Sequence, residues 1–321
     1  MTILITGSAG HLGEALMRTL QAAGRPARGL DLSPSPFTTH VGSIADPDFV
    51  RAAMAGVTAV IHAATLHKPH VDTHSRQAFV DVNITGTLTL LEAALAAGVR
   101  AFVYTSTTSA FGAALSPPPG APAAWITEDV APVPRNIYGV TKVAAEILCE
   151  LFHRDQGLPV VVLRTSRFFP EEDDNAALAE AYPLANVQAN ELLYRRVDIE
   201  DVVGAHLLAT QRAGDIGFGR YIVSATTPFG WDELAELRAD APAVVRRIFP
   251  EVDELYAARG WRLFPSLDRV YVNDRARAAL GWAPKHDFRR ALDRLAKGED
   301  FRSELAREIG SKGYHRGSPP P

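Results

Sequence analysis

The stretch Ile3-Leu-Ile-Thr-Gly-Ser-Ala-Gly-His-Leu-Gly13, close to the start of the chain, decides the fold. Its apolar run from Ile3 to Ile5 predicts a buried strand, and a helical pattern runs from Glu14 to Ala23. Between them lie three glycines, Gly7, Gly10 and Gly13. Glycine lets a backbone turn tightly and approach a ligand closely. Because a helix N-terminus presents N–H groups and a positive dipole end, the stretch predicts a pyrophosphate-binding turn.

An acidic residue ends the second predicted strand. Ala27 to Leu30 forms this strand, and Asp31 follows it. A carboxylate about 20 residues after such glycines accepts hydrogen bonds from an adenosine ribose and repels a 2′-phosphate, which favours NAD over NADP. The alternative is an acid that caps the turn before Ser33-Pro34.

Strand and helix patterns alternate up to about residue 165. Further strands are predicted at Val41–Asp46 (with a turn, near the adenine), Ala59–Ala64, Ala101–Ser106 and Val160–Leu163. Helices are predicted at Phe49–Met54, Phe79–Ala97 and Ile137–His153. Regular alternation predicts an α/β fold with a parallel, doubly wound sheet.

The rest of the chain is less regular and predicts a second, smaller unit. We expect residues 1–165 to form a dinucleotide-binding domain, completed by a helix and strand within 197–224. Residues 113–136 form a Pro-rich ordered loop, and 168–190 are acidic and irregular. We expect 166–196 and 225–305 to form a mixed substrate-binding lid and 306–321 a tail, disordered from residue 311.

Composition narrows the class of protein. The 321 residues are 47% hydrophobic and 22% charged, as in ordinary globular proteins, and the net charge of −4 does not favour nucleic acid. Cys149 is the single cysteine, so no internal disulfide forms. No apolar run reaches about 18 residues, and the first strand leaves no room for a signal peptide. We therefore expect a cytoplasmic protein without a membrane span.

A histidine-rich loop follows the predicted strand Ala59–Ala64. It runs from Leu66 to His74 and contains His67, His70, Asp72 and His74. These residue types bind metals, but their spacing matches no closed zinc pattern, and Pro69 interrupts a continuous helix. A substrate-side loop, a solvated loop and a metal site remain as alternatives, and we expect no metal.

Tyr138 and Lys142 form the pair on which the chemical hypothesis depends. Four residues apart on a helix, they share one face. A nearby ammonium lowers the pKa of a phenol and makes it a better base. Such a base takes the proton of an alcohol that loses hydride. Alone, the pair would be read as a surface contact, but here it follows a hydroxyl cluster, Thr105–Gly112, at a strand end where ligands bind in parallel sheets.

Six motifs occur in a characteristic order: Thr6–Gly13, Asp31, His62–Ala64, the Asn83 segment Asp81–Thr87, Thr105–Gly112 and Tyr138–Lys142. In this order they resemble the extended short-chain dehydrogenase/reductases, and among them the NAD-dependent nucleotide-sugar epimerase/dehydratase group. The resemblance covers residues 2–165 well. The segments 196–203 and 280–284 extend it more thinly to about residue 295.

The resemblance implies a Rossmann fold, tightly held NAD and a C-terminal substrate region. It makes Thr107 the catalytic hydroxyl, which aligns the reacting oxygen; the alternative for Thr107 is a strand-end cap. It also implies a homodimer in which the Asn83 and Tyr138 helices pack as a four-helix bundle. The cofactor-binding residues it suggests are Gly7, Gly10, His11, Leu12, Gly13, Asp31, Ser43, Ile44, Ala63, Ala64, Asn83, Thr105, Tyr138 and Lys142. Candidate substrate contacts are Lys68, Thr108, Arg167 and Arg196.

Two departures from the family pattern concern the substrate. The related 4,6-dehydratases have Asp-Glu directly after the catalytic threonine, and related decarboxylases have a glutamate two residues after it. Here Thr108 and Ser109 stand there, which disfavours both reactions. The second departure follows Arg167-Phe-Phe-Pro170, where four acids, residues 171–174, would repel a diphosphate unless they face solvent.

The sequence therefore favours an NAD-dependent epimerase that oxidises a secondary alcohol of a sugar or nucleotide-sugar to a transient ketone. The alternative is a net dehydrogenase or reductase of a small hydroxy acid, sugar acid or polyol. A third hypothesis, a non-enzymatic NAD sensor, is disfavoured by the intact set of Thr107, Tyr138 and Lys142.

Overall fold

The computed structural model describes residues 1–171 and 176–312. Nine strands are present in this part of the chain: β1 (Ile3–Thr6), β2 (Ala27–Asp31), β3 (His40–Val41), β4 (Ala59–His62), β5 (Phe102–Thr107), β6 (Ala124–Ile126), β7 (Val160–Thr165), β8 (Phe218–Val223) and β9 (Arg269–Tyr271). Seven of them form one sheet in the order β3-β2-β1-β4-β5-β7-β8, and every neighbouring pair is parallel. The predicted doubly wound sheet is confirmed, and β8 joins it as predicted.

The α-helices lie on both faces of this sheet and around a separate apolar core formed mostly by residues 187–194 and 225–301. They are α1 (His11–Ala22), α2 (Pro47–Ala53), α3 (Arg76–Val80), α4 (Gly86–Ala96), α5 (Ile137–Gln156), α6 (Ala176–Ala181), α7 (Leu184–Glu191), α8 (Ile199–Ile216), α9 (Leu234–Ile248), α10 (Val252–Ala257), α11 (Asp274–Leu280), α12 (Phe288–Ala296) and α13 (Glu304–Ile309). One core cluster joins the sheet to α1 and α8, and another joins it to α2, α4 and α5.

Helix α1 begins at His11, three residues earlier than the pattern predicted. Gly13 therefore lies inside the helix. A Cβ at this position would come within 1.9 Å of the Gly7 carbonyl oxygen, so only glycine fits there. The glycine therefore serves the close packing of the helix on the turn before it.

Helices α3 and α4 are continuous through a π-helical turn, Asp81–Thr85. The Ser75 hydroxyl accepts a hydrogen bond from the N–H of Ala78 and caps the start. By length and composition alone, the span Arg76–Ala96 could cross a bilayer. In the fold, Phe79, Leu90 and Leu91 are buried, and the span packs between α2 and α5 as a core helix.

Three predictions about the less regular segments of the chain are corrected. The segment 168–190, expected to be irregular, contains α6 and most of α7. The buried face of α7 carries Asn186 and Asn190, which both donate to the carbonyl of Arg262. Because this face is polar, its helical pattern is not evident from the sequence. The Pro-rich loop contains β6, which pairs in parallel with the distant β9. The predicted tail, 306–321, begins inside α13, and Ile309 of this helix is buried in the core with α1 and α8. Residues 313–321 lie outside the described residues.

We predict opposite effects of two glycine-to-alanine substitutions. Gly13→Ala should lower the free energy of unfolding by at least about 2 kcal/mol, because its Cβ overlaps the Gly7 carbonyl. Gly214→Ala, on an exposed part of α8 with nothing within 4 Å, should raise it by about 0.5–1 kcal/mol. Urea unfolding measures both; equal effects at the two positions would contradict this packing.

Candidate active site

The carboxyl ends of β1, β4, β5 and β7 bring the predicted motifs to one edge of the sheet. The glycine turn follows β1, Ala63 and Ala64 follow β4, and the hydroxyl cluster begins within β5. Ligands of open parallel sheets bind outside this edge.

The glycine turn has the shape that a dinucleotide requires. Gly7 has φ +77°, and a Cβ on it would lie 2.8 Å from the nitrogen of Ala64. Gly10 is the N-cap of α1 and has no side chain to cap the first N–H groups of the helix. These N–H groups and the bare backbone around them fit a pyrophosphate.

Asp31 lies beside this turn, as a ribose-binding acid should. One carboxylate oxygen accepts from the N–H of Ala9 at 3.0 Å, and the other accepts from the N–H of Ser33 at 2.9 Å. The carboxylate thus caps its own turn and lies against the glycine turn, and its contact with an adenosine ribose remains a prediction.

Helix α5 carries Tyr138 and Lys142 on its buried face. The Asn136 side chain caps its start by accepting from the N–H of Gly139. A Cβ on Gly139 would lie 3.3 Å from the carbonyl oxygen of Ser109, so α5 packs closely on the turn after β5. This packing brings the phenol of Tyr138 close enough to the Thr107 hydroxyl for the two side chains to interact. The structure brings the three predicted catalytic residues together.

Lys142 interacts differently from the prediction. Its ammonium donates to the carbonyl of Thr105 at 2.6 Å and lies 4.3 Å from the centre of the Tyr104 ring. Burial lowers the pKa of Lys142 to about 7, and the charge of Glu146 opposes this. Burial also raises the pKa of Tyr138 to about 12, against the effect of the hydrogen bond from Thr107. The expected lowering of the Tyr138 pKa by Lys142 is absent because the ammonium is directed at Thr105 and Tyr104.

The structure gives Asn83 a positioning role in place of the predicted cofactor contact. Its side-chain oxygen accepts from the hydroxyl of Thr65 and the N–H of Leu66, both at 2.9 Å. Its amide nitrogen donates to the carbonyl of Leu66 and to the hydroxyl of Thr141. All its donors and acceptors are therefore used to hold the loop after β4 against α5.

The side chains of His11 and Leu12 point into the protein, so only their backbone N–H groups are suited to a cofactor. Leu12 lies in the core. The His11 imidazole contacts the carbonyl of Gly310 at 2.8 Å and the carboxylate of Glu171 at 3.3 Å. Lys312 forms an ion pair with Glu14 in the first turn of the same helix. The end of the described chain thus covers the start of α1.

Ser43 and Ile44 follow the short edge strand β3. The hydroxyl of Ser43 accepts from the N–H of Ala45. Ile44 is buried against Gly86, where a Cβ would lie 2.6 Å from its side chain. Their predicted contact with the adenine remains a prediction.

The predicted substrate residues are spread around the edge. Lys68 is exposed on a 3₁₀ turn, Lys68–Asp72, and Thr108 is buried at the start of another, Thr108–Phe111. Arg196 donates to Glu191 at 2.7 Å and to the carbonyl of Phe169 at 3.0 Å, so it holds the loop after β7 in place.

Arg167 is held by the same loop. It donates to the carbonyl of Glu171 at 3.0 Å, and its side chain lies 3.9 Å from the buried carboxylate of Glu191. Of the four acids expected to repel a diphosphate, Glu171 is buried, and residues 172–174 lie outside the described residues.

The histidines of the loop after β4 contact one another through their rings. His67 and His70 lie edge to face at 4.5 Å, His70 and His74 at 5.0 Å, and His67 stacks on Phe169 at 5.4 Å. Within the described ranges, no group of three His, Cys, Asp or Glu is arranged to hold a metal ion. The loop is thus packed against the segment that follows β7.

A cleft lies between the starts of α1 and α8 and the segment 301–310. Its lining includes His11, Phe168, Arg196, Asp198 and Ile309, but not Thr107, Tyr138 or Lys142. The cleft is therefore separate from the proposed reacting groups.

Sequence reasoning missed a buried ion pair on the inner face of α5. Glu146, one turn after Lys142, accepts from the hydroxyl of Ser106 and forms a two-pronged ion pair with Arg164 of β7. All three are buried. The spacing Tyr138, Lys142, Glu146 is a sequence signal for a continuous helix face that would have found the glutamate.

Comparison with known proteins agrees with this geometry. The model of the NAD dependent epimerase/dehydratase family matches residues 3–222. The chain is 30% identical to a dTDP-glucose 4,6-dehydratase of Streptomyces antibioticus, over 92% of this chain and 91% of the relative. It is 28% identical to a UDP-glucose 4-epimerase of Azospirillum brasilense, over 98% and 96%.

The fold is also similar to that of a short-chain dehydrogenase/reductase superfamily protein from Agrobacterium tumefaciens, solved with bound NAD. The TM-score is 0.66 at 26% identity, and the match covers 92% of this chain and 96% of that one. The chain therefore belongs to the NAD-dependent epimerase/dehydratase family and is an NAD-dependent enzyme of the extended short-chain dehydrogenase/reductase type.

Proposed function

We propose that this enzyme is an epimerase that oxidises a secondary alcohol of a sugar or nucleotide-sugar to a transient ketone. The observation that carries the proposal is the convergence of Tyr138 and Thr107 beside the buried Lys142, at the sheet edge that holds the glycine turn.

Each of the three residues has one task. When bound, NAD supplies the hydride acceptor and a positive ring whose charge lowers the pKa of the phenol. Tyr138 takes the proton of the substrate hydroxyl, and Thr107 donates to the same oxygen and orients it. Lys142 donates to the carbonyl of Thr105 and so holds the end of β5, from which Thr107 projects.

The residues after Thr107 support epimerisation over dehydration. Elimination of water needs a further acid, and Thr108 and Ser109 provide only hydroxyls. Thr108 is buried, and the hydroxyl of Thr107 accepts from the N–H of Ser109 and so caps the turn that follows it. The turn therefore supports the catalytic threonine and adds no carboxylic acid. This favours the chemistry of the epimerase relative over that of the dehydratase relative.

The reaction is tested by incubating the purified enzyme with UDP-glucose, dTDP-glucose, sugar acids and polyols, with NAD or NADP. We expect a stereoisomer of one sugar to form with catalytic NAD and no net NADH. Stoichiometric NADH would instead establish a dehydrogenase, and a 6-deoxy-4-keto product a dehydratase. Tyr138→Phe and Thr107→Val should each lower kcat by at least about 10²-fold, whereas Thr107→Ser should stay within about tenfold of wild type.

Lys142→Met should change how stability depends on pH. The unfolded chain keeps the lysine proton to about pH 10.5, whereas the folded protein releases it near pH 7. Between these values the unfolded state binds more protons, so wild type gains on the variant by up to about 1.4 kcal/mol per pH unit. Below about pH 6 the difference is constant. Urea unfolding from pH 6 to 10 measures this, and parallel curves throughout would contradict it.

We further propose a homodimer through α4 and α5, in which these helices pack as a four-helix bundle. Apolar side chains lie exposed on them: Leu95 is 38% exposed, Val140 48% and Ile147 58%. Val140 and Ile147 are seven residues apart and share one face of α5, away from Tyr138. Exposed apolar side chains in one continuous patch indicate an interaction surface.

Ile147→Glu should convert this dimer to a monomer, because it places a charge in the centre of an apolar interface. Light scattering coupled to size-exclusion chromatography measures the mass. Val133→Glu, at a 50% exposed position outside both helices, is the matched control and should leave the dimer intact. A monomeric wild type would contradict the proposal.

A further inference from the structure

His62 is a polar residue at the end of the otherwise apolar strand β4. Its ring is buried and is hydrogen-bonded on both sides. Nδ1 lies 2.8 Å from the hydroxyl of Thr6, at the end of β1, and Nε2 lies 3.0 Å from the hydroxyl of Thr87, on α4. The ring therefore joins the strand that leads into the glycine turn to a helix on one face of the sheet.

The partners fix which ring nitrogen carries the proton. The hydroxyl of Thr87 donates its one proton to the carbonyl of Asn83 at 2.7 Å, since a carbonyl only accepts. Nε2 of His62 must therefore donate to Thr87. Burial, aided by the charge of Lys142, lowers the pKa of His62 to about 3, so the ring is neutral and Nδ1 accepts from Thr6.

In the direction of β1, the hydrogen bonds of His62 extend to the glycine turn that is suited to bind NAD. The hydroxyl of Thr6 accepts from the N–H of Ala64 at 3.2 Å while it donates to His62. Ala64 is the residue against which Gly7 packs without room for a Cβ. The link from His62 to Thr6 thus holds the two backbone segments that shape the pyrophosphate turn.

In the direction of α4, the hydrogen bonds extend to α5, the helix that carries the proposed base Tyr138. The residue that accepts from Thr87, Asn83, also donates through its side chain to the hydroxyl of Thr141 at 3.0 Å. The hydroxyl of Thr141 in turn contacts the carbonyl of Tyr138 at 3.0 Å. The link from His62 to Thr87 thus supports the segment that positions Tyr138.

We propose that His62 is a positioning residue that joins the NAD-binding turn to the catalytic helix as a neutral imidazole with its proton on Nε2. The proposal rests on the proposed function for its catalytic half only. Its two links are separable: the Thr6 link supports NAD binding, and the Thr87 link supports the placement of Tyr138. A ring that merely filled the core would affect both properties together.

Two amide variants cut one link each. The amide of Gln occupies the place of Nε2 and keeps the donor to Thr87; the amide of Asn occupies the place of Nδ1 and keeps the acceptor for Thr6. We expect His62→Gln to raise the dissociation constant of NAD by at least about tenfold, with kcat at saturating NAD within about threefold of wild type. We expect His62→Asn to keep the NAD affinity within about threefold and to lower kcat by at least about tenfold.

A second pair of variants removes the same two hydrogen bonds by changing the partners of His62. These variants test the proposal if either His62 variant fails to fold. Thr6→Val should reproduce the effect of His62→Gln, and Thr87→Val that of His62→Asn. NAD affinity is measured by fluorescence titration, and kcat with the sugar that the wild type converts. Equal changes of both constants in all variants, or no change in any, would overturn the proposal.

The outcomes separate this proposal from the proposed function. A wild type that epimerises a sugar, with variants that show no split, overturns the role of His62 alone. A wild type that converts none of the sugars overturns the proposed function. The NAD dissociation constants then still test the role of His62 in NAD binding. Weaker binding in His62→Gln but not in His62→Asn supports this role, and equal binding in the two variants overturns it.

Discussion

The rest of the structure depends on the close contact between the backbone of Gly7 and the end of β4. No side chain fits between them, and Gly13 repeats the constraint in the first turn of α1, against the carbonyl of the same Gly7. Strand, turn and helix are therefore held at a separation that only glycine permits. The helix N-terminus faces the sheet edge as a result, and the hydroxyls of Thr6 and Thr107 end their strands at that same edge.

Burial controls the chemistry at this edge. It raises the pKa of Tyr138 and lowers that of Lys142, so it opposes the charged form of both groups that the reaction uses. The protein partly offsets this with Glu146, whose charge favours the ammonium and which is itself held by Arg164. The proposed base therefore rests in its neutral form, and the remaining stabilisation of a phenolate has to come from the positive charge of the oxidised cofactor.

Local patterns predicted the sheet, the glycine turn and the convergence of Tyr138 with Thr107, because strand ends and helix faces follow from short-range periodicity. These local patterns did not reveal the pairing of distant strands. Strand β6 is only three residues long and pairs with β9, more than a hundred residues later in the chain. The role of Asn83 also escaped these patterns, since motif position suggests a ligand contact but only the hydrogen bonds to Leu66 and Thr141 show that its amide is used internally. The direction of the Lys142 ammonium depends on Thr105 and Tyr104, which spacing on one helix does not reveal.

The contact of His11 with Gly310 joins residues 299 positions apart. A ribosome therefore delivers the start of α1 long before the segment that covers it. Through most of translation the imidazole of His11 cannot yet contact Gly310, and the carboxylate of Glu14 can pair with Arg18 but not yet with Lys312. Closure over this helix is consequently a late event in biogenesis, completed when Gly310 to Lys312 have left the exit tunnel, although the helix itself is among the first structures to emerge.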